Sequence, residues 1–115
     1  MSVNFIISNE FARQFKRLAK KYHSLVDDYS ALKKELEENP TQGDDLGCGV
    51  HKVRMAIASK NKGKSGGARV LTLTALVNQS DTTDVTFLTI YDKGEIENVT
   101  PQYIKWLIEQ RSLNE

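Results

Sequence analysis

At 115 residues, with 39% hydrophobic and 27% charged side chains, the chain has material for one core, so a single domain over residues 1–115 is expected. No apolar run approaches the ~20 residues needed to span a bilayer, which excludes a helical membrane protein. The net charge of +1 hides an asymmetry: residues 50–79 hold Lys52, Arg54, Lys60, Lys62, Lys64 and Arg69 and no Asp or Glu, which points to a local anionic ligand.

The N-terminus, MSVNFIISNEF, lacks the basic segment and small-residue cleavage site of a signal peptide, so a cytoplasmic location is expected. Residues 3–7 alternate, Val3, Phe5 and Ile7 against Asn4 and Ile6, which predicts a short strand with one buried face. Ser8 or Asn9 can cap a following helix with Glu10 in its first turn, and Phe11, Phe15, Leu18, Ala19 and Tyr22 recur at helical spacing. Arg13, Lys16, Arg17, Lys20 and Lys21 give that helix a basic outer face. Ser24 is expected to cap a second helix with Asp27 three residues on, striped by Leu25, Tyr29, Leu32 and Leu36 and ended at Asn39-Pro40. The tight joint at His23-Ser24 predicts an antiparallel helical hairpin.

TQGDDLGCG reads as a loop, and its Cys48, the one cysteine, can form no internal disulfide, which fits a reducing compartment. Cys48 is expected to be a small buried or half-buried side chain. The period then changes to two: Val53, Met55 and Ile57 face one way, and Lys52, Arg54, Ala56 and Ala58 the other. ARVLTLTALV (68–77) and VTFLTIYD (85–92) read as further strands, separated by the polar turn NQSDTTD. Thr100 caps a last helix with Pro101 at its first position and Ile104, Leu107 and Ile108 as its stripe. The expected class is α+β, an N-terminal strand and helical hairpin packed with a C-terminal helix on one face of an antiparallel sheet.

Residues 59–67 then form a hairpin connection, longer than the ~2–5 residues usual there. Gly63-Lys64-Ser65 is not a nucleotide-binding P-loop, because position 58 is Ala and a strand follows. Three lysines at alternating positions suit a phosphate backbone better, with Lys52, Arg54, Arg69, Tyr91 and Lys93 converging from three strands on one sheet face. His23 and His51 are isolated, Asp44 and Asp45 read as solvated or capping, and no metal is expected. Phosphodiester chemistry without a metal means RNA, whose 2′-OH can attack the adjacent phosphate when cations and proton-transfer groups are at hand. Crowding by Arg54, Arg69 and Lys93 is expected to lower the pKa of Tyr91.

Three stretches together resemble the RelE/ParE superfamily of bacterial type II toxins, in its HigB-like branch: FARQFKRLAKKYHSLVDDYSAL, HKVRMAIASKNKGKSGGARVLTL and FLTIYDKGEIENVT. The most specific part is the SKNKGKSGGARV stretch followed by LTIYDK. The resemblance implies a RelE-like, microbial-ribonuclease-like fold and an endoribonuclease that cleaves mRNA on the 70S ribosome and inhibits translation. The implied partners are mRNA, the ribosome and a cognate antitoxin of helix-turn-helix type, with operator DNA reached only through that antitoxin; no cofactor and no membrane is implied. By matching positions it assigns Arg54, Arg69, Tyr91 and Lys93 to catalysis and Lys52, Lys60, Lys62 and Lys64 to RNA binding. It leaves open whether Tyr91 or Lys93 is the base, and Asp92 is less basic than the residue some relatives carry there. Two alternatives share the fold: a ParE-like gyrase inhibitor and a non-catalytic RNA- or ribosome-binding module.

Overall fold

The computed structural model describes residues 2–77 and 81–113. It contains strand β1 (Ser2–Ile7), helices α1 (Asn9–Lys21) and α2 (Leu25–Glu38), strands β2 (Asp44–Gly47) and β3 (Val50–Met55), a 3₁₀ turn at Ala58–Lys60, strands β4 (Ala68–Val77) and β5 (Thr82–Asp92), and helix α3 (Pro101–Leu113). The α+β order is the expected one, with β2 added inside the segment read as a loop. The polar turn expected over 78–84 is narrower: Thr82, Thr83 and Asp84 belong to β5 and pair with β1, and residues 78–80 lie outside the described residues.

Local chemistry sets the helix ends. The Phe11 amide donates to Ser8 Oγ (3.1 Å), and the Ser8 hydroxyl donates to the Leu88 carbonyl (3.1 Å), so the N-cap also ties α1 to the sheet. Lys20 and Lys21 stand in the last turn, where the helix dipole favours cations. Ser24 behaves differently from the expected cap. Its backbone is already helical (φ −84°, ψ −3°), and its hydroxyl turns to the Asp28 carboxylate (2.7 Å) instead of an α2 amide. Asp27 plays no part in that contact. Thr100 caps α3 as expected, accepting from the Tyr103 amide at 3.1 Å.

The sheet order is β1-β5-β4-β3-β2. β1 runs parallel to β5 and every other neighbour is antiparallel, so the sheet is mixed rather than wholly antiparallel. A parallel neighbour needs a long crossover, which the helical hairpin and meander supply. One face packs on the hairpin: Phe11, Leu18, Leu25, Leu32 and Leu36 meet Val53, Met55, Val70, Phe87 and Ile90. The other face packs on α3, where Leu107 seals Val50, Leu71 and Leu88. Helices therefore cover both faces, not one as the pattern suggested, because β4 and β5 carry apolar side chains on both sides. Among the described residues no helix is long and apolar enough to cross a membrane.

Two side chains sit against expectation. Ile7 is 53% exposed, because the edge strand ends there and the chain turns into the Ser8 cap. Cys48 is exposed, at the tip of the β2–β3 hairpin, where Cys48 (φ 55°) and Gly49 (φ 83°) form the left-handed pair of a tight hairpin turn.

One irregularity decides which way β5 presents its last residues. Leu71 of β4 pairs with Thr89, but Thr72 pairs with Phe87, so Leu88 is an extra residue in β5. Phe87 and Ile90 therefore both reach the hairpin core although they are three apart, and Leu88 joins the α3 core. Downstream, Tyr91 turns to the α3 face and Asp92 to the hairpin face.

Leu107 is the buried anchor of α3. Leu107→Ala is expected to cost about 2–5 kcal/mol, measured by denaturant unfolding. A loss below ~0.5 kcal/mol would show that α3 is not part of the cooperative fold.

Candidate functional site

The meander register aligns the basic residues. Arg54 of β3 lies opposite Arg69 of β4, and Arg69 lies opposite Tyr91 of β5. Opposed antiparallel residues have Cα atoms ~4.5–5.5 Å apart, so the three form one row across three strands. The next row on the same face is Lys52, Leu71 and Thr89, where the Thr89 hydroxyl meets the Tyr103 hydroxyl of α3 at 3.1 Å. The Lys93 amide donates to the Gly67 carbonyl (3.0 Å), which extends the ladder and sets Lys93 beside the row, and its ammonium donates to the Glu97 carbonyl (2.6 Å). Lys52, Arg54 and Lys64 share a cleft of 220 Å³ at the β2–β3 edge, with Gln42 and Asp44 as its other polar walls.

The long loop is anchored rather than loose. Its first half is bound to the start of α2: the Ala58 amide donates to the Asp28 carboxylate (3.2 Å) and the Ser59 amide to Ser24 Oγ (2.9 Å). Its second half is bound by Arg69, whose guanidinium donates to the carbonyls of Lys64 (3.1 Å), Ser65 (3.0 Å) and Ala68 (3.2 Å). Gly67 closes it at a point where a Cβ would overlap the Met55 carbonyl oxygen, so only glycine fits.

The cations expected to act in catalysis or RNA binding separate into two groups. Arg54 and Lys62 are exposed and Lys52 is half-buried, and none of these three has an ion pair among the described residues. Lys64 pairs at the surface with Glu35 (3.1 Å), a weak and exchangeable contact. Lys60 is not with them. It turns to the hairpin face, where its ammonium meets the Asp92 carboxylate at 2.5 Å, largely out of solvent. Arg69 is buried and already committed to the loop carbonyls, so it is a fixed charge at the base of the site.

Asp92, which the sequence marked only as less basic than the residue some relatives carry, is a buried anchor point. It is 1% exposed and receives Lys60, the Tyr22 hydroxyl (2.5 Å) and the Gly94 amide (2.9 Å). Burial opposes its ionisation, yet Lys60, Tyr22 and Gly94 together hold the carboxyl below the usual carboxylate range. The available signal was a lone acid closing an apolar strand, the one carboxylate between Asp84 and Glu95. His51 is buried on the hairpin face and His23 is exposed, far along the chain from each other.

Tyr91 corrects an expectation. Burial pushes its phenol up, and the nearby Arg69 charge offsets this only in part. The Arg69 charge does not make it a phenolate, because the residue is 3% exposed and desolvation outweighs that pull. Its hydroxyl is buried without a hydrogen-bond partner among the described residues, a state that costs about 1–3 kcal/mol.

Fold and site together define a small α+β domain with a cation-lined sheet face. The chain belongs to the family described as the RelE toxin of the RelE/RelB toxin–antitoxin system, whose profile matches residues 8–112. It is thus a toxin of a toxin–antitoxin system, with an antitoxin as partner. No curated protein matches the chain.

The Tyr91 phenol is expected to titrate above the range of a free tyrosine, and Arg69→Met to raise it further, because the offsetting charge is removed. The ultraviolet difference titration between wild type and Tyr91→Phe reads this directly. Phenolate formation below pH ~10 would contradict it.

Proposed function

We propose that this toxin is a metal-free, ribosome-dependent endoribonuclease of the HigB-like branch that cleaves mRNA and so inhibits translation. The observation that carries the reading is the in-register row Arg54–Arg69–Tyr91, flanked by Lys52 and Lys93. In the proposed reaction the 2′-OH of one nucleotide attacks its own 3′-phosphate, and the 5′-oxygen of the next nucleotide leaves. The products are a 2′,3′-cyclic phosphate and a 5′-hydroxyl.

Arg54, which is exposed and has no ion pair among the described residues, contacts the scissile phosphate, and buried Arg69 adds fixed positive charge below it. Tyr91 and Lys93 are the titratable groups of the row available for the two proton transfers. Burial keeps the Tyr91 phenol protonated, so it suits the donor side, toward the leaving oxygen. Its shielded hydroxyl contacts substrate only after neighbouring side chains move, and such a contact would supply the partner it lacks. Lys52, Lys62 and Lys64 follow the RNA backbone on either side. The antitoxin is proposed to be a helix-turn-helix protein that carries any operator binding.

The direct test is inducible expression followed by mapping of new 5′ ends in cellular mRNA. New ends within translated regions are expected; arrest of DNA replication with no new ends would instead favour a gyrase inhibitor. In a reconstituted assay, Arg54→Ala is expected to slow cleavage ~10²–10³-fold while the variant still folds and binds antitoxin. Arg54 is a cleaner probe than Arg69, whose truncation also releases the loop. Unchanged cleavage by Arg54→Ala would remove it from the site.

Neutralising Lys52, Lys62 and Lys64 together is expected to weaken RNA binding. It should also flatten the salt dependence by ~0.7 logarithmic units for each phosphate that the variant no longer neutralises. An identical salt slope for variant and wild type would return these lysines to the role of solvated surface charges.

A further inference from the structure

Asp92 stands where the two cation-bearing loops meet. One carboxylate oxygen receives both the Lys60 ammonium and the Gly94 amide, and the other receives the Tyr22 hydroxyl of α1. Its backbone carbonyl accepts from the amides of Glu95 and Ile96, both at 3.0 Å. Through Lys60 it reaches the loop that presents Lys62 and Lys64; through Gly94 it reaches the turn that follows Lys93. The remaining charges nearby are Lys21, 3.9 Å from Asp92, and Glu95, which Lys21 and Arg17 hold at the surface. All of these contacts lie on the hairpin face, opposite the Arg54–Arg69–Tyr91 row.

From this geometry we infer that Asp92 is a positioning residue, and that Lys60 and Tyr22 act with it to fix the 59–67 loop and the Lys93 turn relative to the catalytic row. The inference rests on the ribonuclease reading for its consequence in catalysis, but not for its consequence in loop order. Lys60 is then not a phosphate ligand. A buried charge held by several directional bonds defines one loop geometry, and removing one partner leaves the other unpaired out of solvent. Arg69 pins the same loop from the opposite face, so the loop is clamped across the end of the sheet.

The test uses the full chain with Asp92→Asn, Lys60→Met and the double variant; the more exposed Lys60 supplies a variant in which buried Asp92 is untouched. Trypsin nicking at Lys62 and Lys64 is expected to rise ~10-fold or more in each single variant, with the double variant no worse than either single one, as for two residues acting as one unit. On programmed ribosomes, the single variants are expected to lower kcat ~10–100-fold with half-saturation within ~3-fold of wild type. Tyr22→Phe is expected to give the same pattern at smaller amplitude.

Nicking rates equal to wild type in both single variants would overturn the proposal. So would a Lys60→Met enzyme that binds RNA more weakly at unchanged kcat, since that is the behaviour of a phosphate ligand. If the wild-type protein itself cleaves no RNA, the ribonuclease reading fails, and the nicking rates alone decide the loop-positioning claim.

Discussion

Leu88, the extra residue in β5, governs much of what the toxin presents. Strict alternation from Phe87 would place Tyr91 on the hairpin face, under α1, and turn Asp92 to the opposite side. With the bulge, Phe87 and Ile90 both enter the hairpin core, Tyr91 joins Arg69 and Arg54, and Asp92 points at Tyr22 and Lys60. One unpaired residue thus sends two adjacent side chains to opposite faces, where each meets its own partners. The Arg54–Arg69–Tyr91 row on one face and the Asp92–Lys60–Tyr22 cluster on the other share this cause. Bulges beside functional sites commonly re-aim a side chain in this way.

Charge placement follows from that division. On the hairpin face, Asp92 and Lys60 are paired and shielded; at the start of α1 the buried Glu10 is held by the exposed Arg13, whose guanidinium binds both its oxygens at 2.7–3.0 Å, and by the Tyr103 hydroxyl of α3 at 3.3 Å. On the α3 face, Arg54 and Lys52 have no ion pair among the described residues, and Arg69 spends its donors on backbone carbonyls. Cations of one sign crowded on a sheet end repel, and the fold tolerates this because Arg54 keeps contact with water. An anionic ligand would relieve the repulsion, so the face is electrostatically incomplete by itself.

The sequence made the elements legible wherever one periodicity ran unbroken. β4 falls on the span read from ARVLTLTALV, and the α1 and α2 stripes, the Ser8 cap and the Thr100 cap are as expected. The convergence of Arg54, Arg69 and Tyr91 on one face was also legible, though the alternation that suggested it holds only because the bulge resets the phase. What escaped was non-local. β2 is four exposed residues whose strand character comes from pairing with β3, not from apolar pattern. The second helix-covered face needed knowledge of which sides of β4 and β5 were both apolar once paired. Lys60 looked identical to Lys62 and Lys64, because a row of lysines does not say which one will meet a carboxylate from a strand 32 residues away.

The pinning of the loop also clarifies why so much glycine and serine appears there. A loop held only by its lysines would cost conformational entropy each time an anion was bound, and that cost would fall on affinity. Here Ser24 and Asp28 receive the amides of residues 58 and 59, Arg69 takes the carbonyls of 64 and 65, and Gly67 passes under the Met55 carbonyl. Much of the backbone is therefore ordered before any ligand arrives, while the Lys62 side chain stays exposed. Gly67 permits the close backbone approach, Gly63 takes the left-handed φ of 64°, and Ser59 ties the loop to Ser24 at the start of α2. The loop backbone is thus a preorganised support for the exposed cations it carries and lies beside those of β3.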